Sequence, residues 1–307
     1  MASIREVFES VIRCLNERRW EDLPKYVQSS FTVNGGEHTP DSYAAELKTS
    51  GDTEIALEIV TVDERSRRLG ATILVKWKPC QPVMGLEPTG KTIQFMDQLL
   101  VWFADDDAMV SHIVTLSDRE SIHHQLSEPD AATTTATTTT TSHALDDSIK
   151  KQGGGSGVGT SGSTEPNGRD LEKTYRDYLD CINKRTMQTD LPKFCHPRVF
   201  HNGQELSLDK YRHLMQDAIE AIPDINFGLH TLITDKDAQR VAVRLEFTGT
   251  PVKAIQDVEP NGRPVHFTEH VTYQFRDGKI DRVWSIVDWV SYRQQLLHRY
   301  VDDQTSL

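Results

Sequence analysis

The sequence is short of cysteine, of positive charge and of long apolar runs. Its four cysteines have no Cys-x-x-Cys spacing, so neither a disulfide framework nor a zinc site is indicated. No stretch approaches the roughly 18 apolar residues that a membrane-spanning helix requires. The formal net charge of −12 disfavours nucleic acid and anionic lipid as partners. An ordinary globular protein that contacts neither nucleic acid nor membrane is therefore expected.

Recognisable catalytic and cofactor motifs are also missing. There is no HExxH, no phosphate-binding P-loop and no GxSxG. Residues 157–162 match the dinucleotide pattern GxGxxG, but no strand precedes them and no helix follows, so we reject that interpretation. The first residues lack an apolar signal core, and no Asn-x-Ser/Thr site occurs. We expect a cytoplasmic protein that uses neither a metal nor a cofactor.

The sequence does contain an internal repeat. The run EPTGK at residues 87–91 returns as EPNGR at residues 259–263, the Asn-Gly pair at 34–35 returns at 202–203, and Asp118 matches Asp288. Two copies of one domain are predicted, at residues 1–127 and 169–298. Residues 128–168, rich in Thr, Gly and Ser, predict a disordered linker, and residues 299–307 form a polar tail.

The order of helices and strands in the second copy can be predicted from its sequence. Apolar spacing predicts helices at 171–185, 190–195 and 207–222, a short strand at 199–201, and a closing helix at 289–298. Four long strands are predicted at 225–234, 239–248, 265–275 and 280–287, and Asp277-Gly278 predicts the hairpin turn between the last two. Helices followed by an antiparallel sheet indicate an α+β fold with helices over one face.

The second copy resembles the SnoaL-like polyketide cyclase family of the NTF2-like superfamily. The resemblance rests on the runs FHNG at 200–203, EPNGR at 259–263, FRDGKI at 275–280, WSIVD at 284–288 and QQL at 294–296. It implies two cone-shaped NTF2-like domains, each with helices on a curved antiparallel sheet. Members of this family usually pair through the open face of the sheet, which implies an internal pseudo-dimer, with a homodimer also possible.

Asp288 is the leading candidate for chemistry. The resemblance implies that the aspartate of the WxxxD run is the acid–base residue. Because Trp284, Ile286 and Asp288 alternate onto one strand face, an apolar pocket there would raise the pKa of the carboxyl and suit it to proton transfer. The alternative is that Asp288 caps the closing helix. Asp118 holds the same place in the first copy, where we favour capping.

Two histidines are expected to assist Asp288. His270 shares a strand face with Thr272 and Gln274, and it could polarise a carbonyl or move a proton; the alternative is a surface histidine. The resemblance implies a family histidine about four residues later, where this chain has Gln274. His201 ends the short strand and could exchange a proton across the pocket from Asp288, or simply bond to the backbone of its turn.

The remaining candidates would bind or orient a substrate. Gln274 and Arg244 could orient oxygen atoms, although a salt bridge from Arg244 to Glu246 or Glu269 is the favoured alternative. Trp284, Tyr178 and Phe247 would line a pocket for an apolar or polycyclic molecule, and equally suit a packed core. We expect Glu269 to point away from the pocket, because it alternates with His270.

The first copy lacks several of the polar residues that the second copy has at these positions. Gln98, Trp102 and Val114 stand where the second copy has His270, Gln274 and Trp284. We therefore expect the first copy to be a structural partner with a filled or altered pocket. The predicted function is cofactor-independent cyclisation, isomerisation or epoxide opening of a polyketide- or terpenoid-like molecule by general acid–base catalysis. The alternative is a non-catalytic small-molecule-binding or scaffolding protein.

Overall fold

The computed structural model describes residues 2–128 and 170–297. We refer to these two ranges as unit 1 and unit 2. The predicted linker from residue 129 onward, the GxGxxG match within it and the polar tail lie outside the described residues.

Unit 1 contains three α-helices and six strands. Its elements are α1 (Ile4–Glu17), a 3₁₀ helix (Trp20–Lys25), β1 (Val27–Val33), β2 (Gly36–His38), α2 (Pro40–Ser50), β3 (Gly51–Asp63), β4 (Arg68–Pro79), β5 (Ile93–Phe103), β6 (Val110–Ser117) and α3 (Arg119–Ser127). Ser3 caps α1 and Thr39 caps α2, each with its hydroxyl accepting a backbone N–H of the first turn.

Unit 2 repeats that order. Its elements are α4 (Leu171–Asn183), α5 (Met187–Phe194), β7 (Cys195–His201), β8 (Gln204–Ser207), α6 (Leu208–Ala221), β9 (Asn226–Asp235), β10 (Arg240–Gly249), β11 (Val265–Arg276), β12 (Lys279–Val287) and α7 (Trp289–Leu297). The sequence missed β8 and the first half of β7. Proline disfavours a strand, so Pro197 argued against one in that half. In the structure Pro197 lies where the pairing of β7 with β12 is irregular, a position that tolerates proline.

Each unit has one six-stranded sheet of the same topology. The order is β2-β1-β6-β5-β4-β3 in unit 1 and β8-β7-β12-β11-β10-β9 in unit 2. Asn202 and Gly203 have positive φ angles of 47° and 81°, and the hairpin residues Asp277 and Gly278 have 51° and 72°. Such left-handed pairs fit the tight turns that join twisted antiparallel strands. The predicted α+β fold of two such domains is confirmed.

One face of each sheet packs against the helices of its own unit. In β11 the residues on this face are Val265, Phe267, Glu269, Val271, Tyr273 and Phe275; all except Glu269 belong to the apolar core of unit 2. We call this the inner face and the opposite one the junction face. The cysteines of the described residues are all free, and Cys14 and Cys181 are buried in the two cores.

The junction faces of the two sheets pack against each other. Strands β3, β4 and β5 contact β9, β10 and β11, and α3 contacts α7. Gly70 and Ala242 occupy equivalent positions of the repeat and meet each other: a Cβ added to Gly70 would lie 2.3 Å from the Cβ of Ala242. Gln98 and His270 are also equivalent and also meet. Contact between equivalent residues is the mark of a two-fold interface, here within one chain.

The junction is polar as well as closely packed. The fully buried threonine, glutamine, aspartate and histidine side chains of the described residues all lie on junction faces: Thr61, Thr72, Gln98, Thr231, Asp235, His270 and Thr272. Asp235 accepts a hydrogen bond from the Val62 backbone N–H at 2.9 Å, and Arg240 donates to the Val60 carbonyl at 3.3 Å. These bonds cross between the units and fix the register of one sheet on the other. Within the described residues, no helix has the length and apolar character needed to cross a membrane.

Candidate functional site

The inner face of β11 in unit 2 carries a carboxylic acid, Glu269, among apolar and aromatic residues. Glu269 stands between Phe267 and Val271 in the inward-facing series of β11, which makes it a neighbour of the helices α4 and α6. Ser285 of β12 pairs with Val271 and so shares that face. Its hydroxyl donates a hydrogen bond to Glu269 Oε1. The hydroxyl therefore holds the carboxyl in one orientation within the interior of the unit.

Four tyrosines pack together in the interior near this carboxyl, and we call them the tyrosine cage: Tyr175 and Tyr178 from α4, Tyr211 from α6 and Tyr273 from β11. The rings of Tyr175 and Tyr273 lie 5.1 Å apart, and the hydroxyls of Tyr178 and Tyr211 are 2.8 Å apart. Each of the four side chains is almost completely buried. The carboxylate of Glu269 adds to the burial that raises the pKa of three of them, which places it within electrostatic range.

Burial perturbs the acidity of every group in this interior. Desolvation raises the pKa of Glu269 from its ordinary value of 4.5 to about 7, while the Ser285 hydrogen bond opposes the rise. Glu269 as a whole residue is intermediate in exposure, so the desolvation of its carboxyl comes from the interior that surrounds it. The cage hydroxyls have pKa values raised well above that of free tyrosine, so they remain protonated hydrogen-bond donors.

One cage hydroxyl has no partner of normal geometry. Tyr175 Oη is buried and makes no hydrogen bond of normal geometry within the described residues, and its one contact of this kind is a weak hydrogen bond with Tyr273. A buried unsatisfied hydroxyl costs roughly 1–3 kcal/mol of stability. Such a group next to a perturbed carboxyl is typical of a site that binds a polar atom of a ligand.

The Glu269→Gln variant should gain stability relative to the wild-type chain as pH rises from 4.5 to 7. In this window the folded protein retains a proton that the unfolded chain has lost, because the folded pKa is the higher of the two. The wild-type chain therefore loses folding free energy with rising pH, by at most about 3 kcal/mol, and the loss is complete above pH 7. Urea unfolding of both proteins at several pH values measures this. A difference in unfolding free energy that stays constant with pH would contradict it.

Three of the sequence candidates do lie on this inner side. Tyr178 belongs to the cage, and Phe247 lies in the aromatic core, with its ring 5.1 Å from that of Phe227. His201 pairs with Val283 on the inner face, and its ring centroid lies 6.0 Å from that of Tyr211. The structure thus brings His201 and Tyr178 to the same interior as Glu269.

Four other candidates lie on the junction face, opposite the face that carries Glu269. Gln274 donates to the carbonyls of Ala238 and Gln239, and Trp284 pairs with Thr272 across the junction face. Arg244 donates to Glu246 at 3.4 Å, which agrees with the salt-bridge alternative. The fourth is His270. The physical reason is strand alternation: the polar face of β11 meets the other unit, and the apolar face meets the helices.

His270 is a buried, neutral residue of the junction. Its Nδ1–H donates to the Gln98 carbonyl at 2.9 Å, and Nε2 has no partner in the described residues. Desolvation lowers the pKa of His270 to about 4, and the positive charge of Arg244 lowers it further, while Gln98 and Asp288 oppose the change. The carboxylate of Asp288 is one of the charges that act on His270, so the two groups lie within electrostatic range of each other.

His270→Gln should make the chain less sensitive to acid, since unit 1 has glutamine at the equivalent position. Between pH 6.5 and about 4 the unfolded chain binds a proton at His270 that the folded protein excludes. The wild-type chain therefore loses up to about 3 kcal/mol as pH falls through this window. Unfolding free energies measured across that range should fall less steeply in the variant. Equal slopes in the two proteins would count against a buried neutral His270.

Asp288 occupies a helix-capping position. Its Oδ1 accepts the Ser291 backbone N–H at 3.0 Å and its Oδ2 accepts the Ser291 hydroxyl at 2.5 Å. Asp118 accepts the Ser121 backbone N–H at 3.0 Å at the start of α3, so the two repeats share the cap. For Asp288 capping was the alternative interpretation of the sequence, and for Asp118 it was the favoured one. Among the described residues, no group of three or more His, Cys, Asp or Glu is placed to bind a metal ion.

Comparisons with known proteins concern unit 2. The profile of the SnoaL-like polyketide cyclases matches residues 172–296. A solved SnoaL-like polyketide cyclase from Agrobacterium tumefaciens is 39% identical over 42% of this chain and 98% of its own length, with a TM-score of 0.39. The chain belongs to the SnoaL-like polyketide cyclase family. This membership rests on the profile and on the identity with the Agrobacterium protein.

More distant structures also align with part of this SnoaL-like chain. IdmH from Streptomyces antibioticus is 21% identical over 42% of this chain and 99% of its own length, with a TM-score of 0.38. TsrD from Streptomyces laurentii is 19% identical over 41% of this chain and 93% of its own length, also with a TM-score of 0.38. Among curated proteins, none matches this sequence.

Sequence reasoning missed the acid of the inner face, although a signal for it existed. In this SnoaL-like chain the inward series of β11 has Glu269 as its third member, and the inward series of β5 has Asp97 as its third member. A carboxyl that recurs at one register position of two repeats, within strands that are otherwise apolar on that face, indicates a retained interior acid. The polar residues on the opposite face of β11 were instead predicted to be the pocket residues.

Proposed function

We propose that unit 2 is a cofactor-independent cyclase or isomerase that acts on a polyketide- or terpenoid-like small molecule, with epoxide opening as a related possibility. Glu269 is the acid–base residue and the tyrosine cage binds the reacting oxygen atoms. The observation that supports this most strongly is Glu269 itself: a carboxyl on the inner face that accepts a hydrogen bond from Ser285, with its pKa raised by desolvation to about 7. Membership of the SnoaL-like family supports the reaction class.

The pKa of Glu269 suits proton transfer in both directions. Near neutral pH its ionised and protonated forms are both well populated, which is the condition for an efficient general acid–base group. As a carboxylate it takes a proton from the carbon beside a substrate carbonyl, and the electron pair left on that carbon forms the new bond to a second carbonyl carbon. As a carboxylic acid it returns the proton to the resulting alkoxide. Protons and electrons balance without a cofactor.

The tyrosine cage would stabilise the charge that develops on oxygen. Because their pKa values are raised, the hydroxyls of Tyr175 and Tyr211 donate hydrogen bonds without losing their protons. Donors already oriented in a water-poor interior stabilise an enolate more effectively than water does. His201, beside Tyr211, is placed to assist at the same oxygen. The surrounding phenylalanines, Phe247 and Phe267 among them, exclude water and orient an apolar substrate.

The family resemblance favours a different acid, and it remains a second proposal for the same reaction. Asp288 lies at the end of the WxxxD run and close enough to His270 to affect its pKa. In that case the chemistry would take place at the edge of the junction, next to α7. The two proposals differ in which carboxyl reacts and on which face of the sheet.

Small-molecule extracts of the native host test the function itself. Mass spectrometry should compare the unmodified host, a strain with the gene deleted, and the deleted strain with the wild-type gene restored. We expect the deletion to remove a product and accumulate an isomeric or dehydrated precursor, and the restored gene to reverse both changes. An unchanged extract would instead favour the non-catalytic binding or scaffolding alternative.

A further inference from the structure

Unit 1 also carries a carboxyl in its interior. Asp97 is the third residue of the inward-facing series of β5, which runs Ile93, Phe95, Asp97, Leu99, Val101 and Phe103. Glu269 holds the same position in β11. Gln98 and His270, which follow these two acids, meet across the junction and confirm the equivalence. The family profile does not extend to this unit.

Two interior polar atoms of unit 1 lack a hydrogen-bond partner, unlike their counterparts in unit 2, although Ser117 forms a hydrogen bond with the Asp97 carboxyl. Asp97 Oδ1 and Thr115 Oγ1 are buried and have no hydrogen-bond partner in the described residues. In unit 2 the equivalent pair, Glu269 and Ser285, bond to each other. Aspartate is one methylene shorter than glutamate, so Asp97 does not close the same bond. Two buried polar groups without partners on one inner face cost stability unless something else satisfies them.

The walls around Asp97 are more apolar than those around Glu269. Three of the cage positions hold Phe8, Val11 and Val101 in unit 1, and only Tyr43 retains the tyrosine. The ring of Tyr43 lies 5.4 Å from that of Phe31 and remains partly solvent-accessible. A ligand in unit 1 would therefore meet few hydrogen-bond donors and one strong acceptor.

The carboxyl of Asp97 is desolvated, as that of Glu269 is. Desolvation raises the pKa of Asp97 to about 6, while a hydrogen bond with Ser117 opposes the rise. Its charge also contributes to the raised pKa of Tyr43, about 12, so the two side chains face one interior. The expectation of a filled or altered pocket in the first copy was based on junction residues, and the changed walls of this inner face are a separate alteration.

We propose that the interior of unit 1 is a second small-molecule site, which binds an apolar ring compound bearing a hydroxyl group. The hydroxyl hydrogen is donated to Asp97 Oδ1, and the hydroxyl oxygen accepts from Thr115 Oγ1. A phenol or alicyclic alcohol satisfies both groups at once, and the apolar walls bind its ring. This site is separate from the one proposed in unit 2, so the proposal does not depend on the function proposed for unit 2.

The NMR signals of the tryptophan indole N–H groups allow binding to each unit to be observed separately. Trp77 packs on the inner core of unit 1, 6.2 Å from Phe95, and Trp289 packs in unit 2, 5.4 Å from Phe267. The full chain, labelled with ¹⁵N and assigned by single Trp→Phe variants, should be titrated with 1-naphthol and with its methyl ether. We expect 1-naphthol to shift the Trp77 signal in a saturable way at pH 8. The ether, which has no hydroxyl hydrogen, should bind at least about tenfold more weakly there.

Matched variants test which carboxyl is responsible. Asp97→Asn should weaken the Trp77 response to 1-naphthol at least about tenfold, whereas Glu269→Gln should leave it unchanged. Thr115→Val removes the second contact without changing the charge and should weaken the Trp77 response to 1-naphthol by a smaller factor. This variant still tests the proposal if Asp97→Asn folds poorly. No Trp77 response in the wild-type chain up to millimolar probe, or equal responses in the wild-type and Asp97→Asn chains, would overturn the proposal. Ordered water would then be the better explanation for the unsatisfied groups.

Discussion

Replacing Glu269 with glutamine will lower the turnover of unit 2 by about 10²–10⁴-fold, the range typical of removing a general acid–base group. Glutamine keeps the shape of the side chain and can still contact Ser285, but it can neither take nor return a proton. The measurement uses the purified full chain and the precursor that accumulates in the deleted host. The wild-type pH profile of kcat/KM should change slope near pH 7, the pKa of the carboxyl, and the variant should lack that feature.

Asp288→Asn is the matched control for this prediction. Asparagine caps helices about as well as aspartate, so α7 and its contacts with Ser291 should persist. If Glu269 is the reacting acid, this variant keeps most of the activity. If Asp288 reacts instead, its amide variant loses activity and Glu269→Gln keeps it. A Glu269→Gln rate within about twofold of the wild-type rate would rule out the proposed role.

The second large effect is expected at the junction, where Gly70→Ala should destabilise the chain by about 1–3 kcal/mol, the usual cost of overpacking. The added methyl group would lie 2.3 Å from the Cβ of Ala242, so the two sheets would have to separate. In a strand without such a contact, alanine in place of glycine is neutral or stabilising. Urea unfolding of the full chain measures the change in unfolding free energy.

Exchanging the two residues supplies the control. The double variant Gly70→Ala, Ala242→Gly again places a single methyl group between the sheets, and it should recover most of the lost stability. Gly36→Ala adds a methyl group away from the junction, where the nearest atoms lie 3.4 and 3.5 Å away, and should change little. If Gly70→Ala proved neutral, or if the exchange restored nothing, the packing of the two sheets in solution would differ from that described here.

Much of the fold could be predicted from local signals. The Asp277-Gly278 pair predicts the last hairpin because both residues adopt positive φ angles there. Helix α4 follows from the apolar spacing of Tyr175, Tyr178 and Ile182, all of which are buried in the core. These signals are local, since each depends on a turn geometry or a helical period that operates within a few residues.

The face of the sheet that forms the site could not be predicted in the same way. Strand alternation divides β11 into two sets of residues but does not say which set meets the helices. Both faces are buried here, because the second face packs on the other unit. The junction face carries His270 and Thr272, and polar residues of that kind suggest a pocket. Only the packing of the two units shows that they serve an interface.

The two repeats differ in distinct ways on the two faces of their sheets. At the junction the equivalent residues Gln98 and His270 meet, and the His270 ring donates to the Gln98 backbone carbonyl. On the inner face the acid persists as Asp97 and Glu269, while most of the surrounding tyrosines are lost from unit 1. The retained acid and the altered walls indicate two interiors of related architecture with different ligand chemistry.

The most direct test of the central claim is to restore the deleted host gene as wild type, as Glu269→Gln and as Asp288→Asn, and to compare the extracts by mass spectrometry. The inner face of unit 2 is the reacting face if the wild-type and Asp288→Asn genes restore the product while Glu269→Gln leaves the precursor in place. Full restoration by Glu269→Gln, with failure of Asp288→Asn, would move the chemistry to the end of β12 and contradict the role given to Glu269.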